Sequence, residues 1–225
     1  MIESSADTAV ADALLFAHVA AGVVALLSGL VAIVTRKGGR RHNKAGKAYV
    51  FSMIFVVTTA VPLSVWIESW FLLAVAVFSG YLVVAVYRII KRRCAGLTEP
   101  TGTDYAVHGT MLAAGGTMVV VGGWVTATGT PGLAPVLVVF GFIGGALAVR
   151  ELLELSAPPT DRKPWFKRHI IFMGGAYIAT VTAAVTVNLT MLPPLVRWLG
   201  PTAVGVPFIL YGIRKYQPVL GRRTA

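Results

Sequence analysis

The chain has 225 residues, of which 56% are hydrophobic and only 13% charged, against about 25% charged in an ordinary soluble domain. So little charge cannot coat a water-soluble globule, and no stretch is left over for a soluble domain of useful size. A formal net charge of +11 invites a nucleic-acid reading, but the basic residues lie in short loops between apolar blocks, where Lys and Arg set membrane orientation; nucleic acid is excluded as a partner on that ground.

The apolar blocks are long enough to cross a ~30 Å hydrocarbon core, which takes about 20 residues of helix. The first predicted span runs from about Val10 to Val34, and the acidic start MIESSADTAVAD does not read as a cleavable leader. A basic loop, RKGGRRHNKAGK, leads to a second span over Ala48 to Trp66. A very short connection at Glu68 and Ser69, flanked by the interface aromatics Trp66 and Trp70, makes spans two and three a hairpin. The third span covers Phe71 to Ile90 and ends in Arg88, Lys91, Arg92 and Arg93, beside the lone cysteine, Cys94. The fourth starts near Asp104, read as an N-cap, and reaches Thr128. After the breaker GTPG the fifth runs from Leu133 to Leu155; the loop SAPPTDRKPWFKR follows, with Pro158, Pro159 and Pro164. The sixth covers His169 to Leu189. The seventh, Trp198 to Ile213, is short and carries Pro201 and Pro207, so a re-entrant or interfacial C-terminal segment stands as the alternative to a full crossing. Arg214, Lys215, Arg222 and Arg223 form the tail cluster.

The predicted fold is therefore all-α: one polytopic domain over residues 1–225, an integral membrane bundle of seven transmembrane helices. With the N-terminus outside and the C-terminus in the cytoplasm of a cell membrane, every Lys and Arg except Arg197 falls on the cytoplasmic side. Basic loops there suit anionic lipid headgroups. Gly115, Gly116, Gly122 and Gly123 in span four, Gly141, Gly144 and Gly145 in span five, and Gly174 and Gly175 in span six predict close packing within the chain, ahead of a homo-oligomer or a membrane-complex partner.

Ionisable side chains inside a membrane are costly, which makes each a functional candidate. There are four histidines. His42 lies just before span two, His108 one turn into span four and His169 at the start of span six, all near the cytoplasmic face. Asp104 is one turn before His108 on the same side of the helix, and Glu151 and Glu154 end span five at the same level. His18, in the outer half of span one, is a separate candidate site, too far along the helix to share a metal with the others. Imidazoles on facing helices suit haem iron or a transition metal. His and carboxylates also serve as proton or solute relays, or bond to loop backbone and lipid phosphate. No nucleotide-binding, zinc-protease, CxxC or nucleophile-elbow motif occurs.

The block AHVAAGVVALLSGLVAIVTRKGGRRHNKAGKAYVFSM, with His18 and Gly22 and then His42, Gly46 and Tyr49, resembles the domain-of-unknown-function family 2306 of multi-pass membrane proteins. So does WFKRHIIFMGGAYIATVTAAVTVN, with His169, Met173, Gly175 and Tyr177, and the proline-bearing last span PTAVGVPFILYGIRKY. The resemblance implies a helical membrane protein and no particular activity; it directs attention to His18, His42 and His169.

The leading expectation is a membrane redox or electron-transfer component. In it His108 and His169 ligate haem or a metal ion, His42 is a third ligand or supports one, and Asp104, Glu151 and Glu154 orient ligands or carry protons. A small transporter or proton-coupled permease using the same residues is the alternative, and a structural subunit the third.

Overall fold

The structure is a computed structural model that describes residues 5–129, 132–158, 160 and 164–221. Its elements are α1 (Ser5–Val34), α2 (Arg40–Trp66), α3 (Trp70–Cys94), α4 (Gly102–Ala127), α5 (Ala134–Ser156), α6 (Trp165–Asn188) and α7 (Pro194–Gly221), with no strand among the described residues. The shortest, α5, has 23 residues, which at 1.5 Å per residue is roughly 35 Å, enough to cross a bilayer core. All seven carry a stretch long and apolar enough to do so.

Burial runs opposite to that of a soluble protein. Phe16 and Trp124 are 77% and 72% exposed, while Glu151 and Asp104 are 1% and 3% exposed. Large apolar side chains are exposed along the helices while these carboxylates are buried, as a hydrocarbon surround requires. The chain is a multi-pass integral membrane protein of the all-α, seven-helix class.

By internal contacts it divides into two compact units, Met1–Gly80 and Tyr81–Ala225, with the boundary inside α3. In the first unit α1 packs on α2. The turn at Ile67–Ser69 joins α2 to α3, and the backbone of Gly80 lies so close to Val57 that a Cβ there would stand 2.9 Å from Val57 Cγ1. In the second unit α4 packs on α5, α6 on α7 and, more lightly, α5 on α7, where Phe140 meets Trp198 edge-on. Glycines set the α4–α5 distance: a Cβ on Gly115 would fall 2.7 Å from the Gly141 carbonyl oxygen, and one on Gly141 2.6 Å from that of Gly115. Gly116 and Gly123, expected in the same role, face open space, whereas Gly145 presents its backbone N and Cα to Gly115 at 3.1 and 3.3 Å from a Cβ there.

Several boundaries differ from the sequence-based expectation. Helix α2 begins at Arg40, so RRHNKAGK forms its first turns and His42 is helical rather than a loop residue. Charged residues with good helix propensity look like loop to an apolar criterion yet extend a helix beyond the hydrocarbon. Gly38, at φ +74°, makes the preceding turn. Helix α6 starts at Trp165 after Pro164, which puts His169 in its second turn. Asp104 is not the N-cap of α4: Thr101 is, and Asp104 is the third helical residue. Helix α7 starts at Pro194, where a missing N–H costs nothing, and continues through Pro201 and Pro207. At 28 residues it leaves the re-entrant alternative no short or broken helix to rest on. Thr130 and Pro131 of the GTPG turn, Pro159, and Arg222 and Arg223 of the tail lie outside the described residues.

Candidate functional site

On α3, Tyr81, Ala85, Arg88 and Arg92 recur at helical spacing and share one face. On α4, Asp104 and His108 do the same. Arg88 Nε donates to Asp104 Oδ1 at 2.6 Å and Arg88 Nη2 to the Thr101 hydroxyl at 2.7 Å. Arg92 Nη1 is 3.5 Å from Asp104 Oδ2, and Arg92 Nη2 donates to the Thr98 carbonyl at 2.9 Å. Asp104 also accepts from the Thr101 backbone N–H at 2.8 Å, the reach-back of a capping box. One carboxylate thus fastens the start of α4, the loop before it and two arginines of α3.

One turn on, His108 is buried, with Nδ1 3.1 Å from the Tyr81 hydroxyl. The Tyr81 ring stands edge-on to His108 and to Phe172 of α6, both at 5.6 Å between centroids. A phenol both donates and accepts. Tyr81 therefore donates to Nδ1 when that nitrogen is bare and accepts from it when it carries a proton. The charges acting on His108 are Asp104 on its own helix, Arg88 on α3 and Arg168 on α6.

A second ion pair joins α5 to α6. Arg168 Nε donates to Glu151 Oε2 at 2.7 Å, and Arg168 Nη2 meets the same oxygen. Glu154 is buried one turn further on, and the Tyr105 hydroxyl donates to the Leu155 carbonyl at 3.3 Å, tying α4 to the end of α5. Between these groups lies a cavity of about 180 Å³ whose lining includes Arg88, Arg92, Arg93, Arg168, Asp104 and His108. Trp165 closes one side, with the Arg93 guanidinium 5.3 Å from its ring.

No family model, curated protein or solved structure matches the chain.

Of the residues expected to form one polar layer, the second unit brings Asp104 and His108 to the cavity wall and places Glu151 behind it through Arg168. His169 packs against Trp165, ring centroids 6.0 Å apart, and is not part of the lining. His42 belongs to the first unit, where Nδ1–H donates to the Ala32 carbonyl at 2.9 Å. Lys37 Nζ reaches the same carbonyl at 3.0 Å and that of Ile33, so the two side chains cap the C-terminus of α1. His18 Nδ1 pairs with the Thr59 hydroxyl at 2.9 Å. That hydroxyl gives its single proton to the Phe55 or Val56 carbonyl, at 2.9 and 3.0 Å, so His18 is the donor and the bond ties α1 to α2.

Among the described residues no group of three or more His, Cys, Asp or Glu side chains is arranged to hold a metal ion. The arginines and Tyr81 are what sequence reasoning missed. By sequence Arg88 and Arg92 serve only to orient the third span, although their spacing with Tyr81 on one face of α3 is itself a signal.

Proposed function

We propose that the protein is a small proton-coupled permease whose solute site is the arginine-lined cavity of the second unit. The observation that carries this reading is a pair of buried ion pairs, Arg88–Asp104 and Arg168–Glu151, held inside membrane-length helices around a cavity with His108 in its wall. Charges buried in membrane helices are costly and mark solute and proton paths. His108 and Tyr81 form the proton-handling element, since their hydrogen bond persists with the donor reversed when His108 gains a proton. The loop-rich basic ends of the helices, assigned to the cytoplasm by the positive-inside asymmetry, make this the cytoplasmic mouth. The resemblance to the domain-of-unknown-function family 2306 is part of the proposal and adds a multi-pass topology.

The redox reading fits less well. A cavity of about 180 Å³ is below the ~300–1,000 Å³ of pockets for drug-sized ligands, and haem is at least that large. Among the described residues no three His, Cys, Asp or Glu side chains are grouped to hold a metal ion.

The test uses purified protein in liposomes with an entrapped pH dye, given inward gradients of single anionic, cationic and neutral solutes. At least one solute is expected to move with protons, with the signal absent from empty vesicles and from His108→Phe. Folded protein that moves neither protons nor any solute would overturn the reading and leave a structural role.

A further inference from the structure

We infer that the indole of Trp165 is a gate on the cavity of the second unit, held across its mouth by Arg93. The cavity has a buried floor and an exposed rim. On the floor, Ala85, His108 and Leu155 are 1%, 4% and 2% exposed. On the rim, Arg93, Leu97 and Thr98 are exposed, and Trp165 is half-buried. A solute on its way from water to His108 crosses that rim, where Trp165 is the bulkiest side chain.

The local structure leaves the indole free to turn. Trp165 is the first residue of α6, after Pro164, whose φ of −55° and ψ of 131° are close to polyproline backbone. The preceding turn of a helix ordinarily bars χ1 near +60°. A first residue has no preceding turn, so all three staggered rotamers are open to it. Contacts, rather than its own helix, then set where the ring lies. The Arg93 guanidinium, at the end of α3, is 5.3 Å from the ring centroid, and His169, one turn along α6, packs at 6.0 Å between centroids. Arg93 belongs to a different helix, so its contact bridges the rim. A cation over an exposed aromatic face is held weakly, which suits a part that opens and recloses. A tryptophan that only anchors a helix at the membrane interface has no need of a cavity behind it; this one lines the cavity.

The inference rests on reading the cavity as the solute site, yet the gate is tested by access alone, without transport. Access controlled by Trp165 in a protein that carries nothing upholds the gate and removes the permease. Flux through a protein whose cavity is equally accessible with and without the indole does the reverse.

The chain has a single cysteine, the exposed Cys94, so Cys94→Ser gives a thiol-free background. Ala85→Cys then places one thiol on the floor. Its rate of reaction with a small water-soluble methanethiosulfonate is followed by mass spectrometry on the full chain in lipid nanodiscs. Arg93→Gln, a change at an exposed position, is expected to quicken labelling about 2- to 5-fold, the worth of one exposed cation–π contact. Trp165→Ala is expected to quicken it further, and Trp165→Phe, which keeps a ring, less than Trp165→Ala. Thr98→Cys, already on the rim, is the control and is labelled at one rate in every background. Ile89→Cys reports from the same face of α3 if Ala85→Cys does not fold, and Arg93→Gln carries the test if Trp165→Ala does not. Floor labelling that is no faster in Arg93→Gln or Trp165→Ala would overturn the inference. So would an equal gain at Thr98→Cys, which marks general loosening.

Discussion

Replacing Gly115 by Ala tests whether backbone contact between α4 and α5 holds the second unit together. The added methyl would meet the Gly141 carbonyl oxygen at 2.7 Å, the Gly145 nitrogen at 3.1 Å and its Cα at 3.3 Å. All three are backbone atoms, so no side chain can swing aside. Reaching an ordinary carbon–oxygen contact of ~3.3 Å moves the helices apart locally by roughly 0.6 Å. Overpacking of this kind costs about 1–3 kcal/mol, or roughly 5- to 150-fold in the unfolding equilibrium. Gly116→Ala is the control, since nothing lies within 4 Å of a Cβ there. Both substitutions carry the same gain in helix propensity, so the difference between them isolates the clash. Reversible unfolding in mixed micelles, followed by tryptophan fluorescence, measures it. Gly115→Ala is expected to be less stable than Gly116→Ala by about 1–3 kcal/mol. Equal stabilities would refute the close approach.

Glu151→Ala strands the Arg168 charge among buried groups and is expected to destabilise by about 3–5 kcal/mol, with much of that recovered when Arg168→Met is added to Glu151→Met. A double-mutant cycle on His18→Phe and Thr59→Val, measured in the same micelles, is expected to give a coupling of about 0.6 kcal/mol and no more than ~1.7. Nitrogen chemical shifts are expected to show His18 protonated on Nδ1. His42→Ala removes one of two side chains on the Ala32 carbonyl, so hydrogen exchange should quicken in the last turn of α1 and leave α4 unchanged.

Apolar block length made the seven helices legible, because a bilayer demands it directly of each segment. The helix starts were less so. Arg40, Arg41, Lys44 and Lys47 extend α2 as helix where hydropathy alone reads loop. Within the site, Asp104 and His108 share a face because they are one turn apart, and that much followed from spacing. Their partners did not. The Arg88–Asp104 and Arg168–Glu151 pairs each join different helices, and no local pattern specifies which arginine of a basic cluster turns inward. The bond from His42 to the end of α1 was not legible, because it depends on which helix-terminal carbonyls lack an intrahelical partner. Tyr81 is one aromatic among many in an apolar helix, and only the packing within the second unit puts His108 beside it.

The central claim is that the arginine-lined cavity takes up and passes a small solute. Uptake of single small anionic, cationic and neutral solutes into proteoliposomes, with lumenal pH recorded on the same vesicles, tests it most directly. The account predicts saturable uptake accompanied by protons, reduced at least tenfold in Arg92→Gln and stripped of its proton signal in His108→Phe. Uptake of every solute no faster than in protein-free vesicles, from protein shown to be folded, would contradict it.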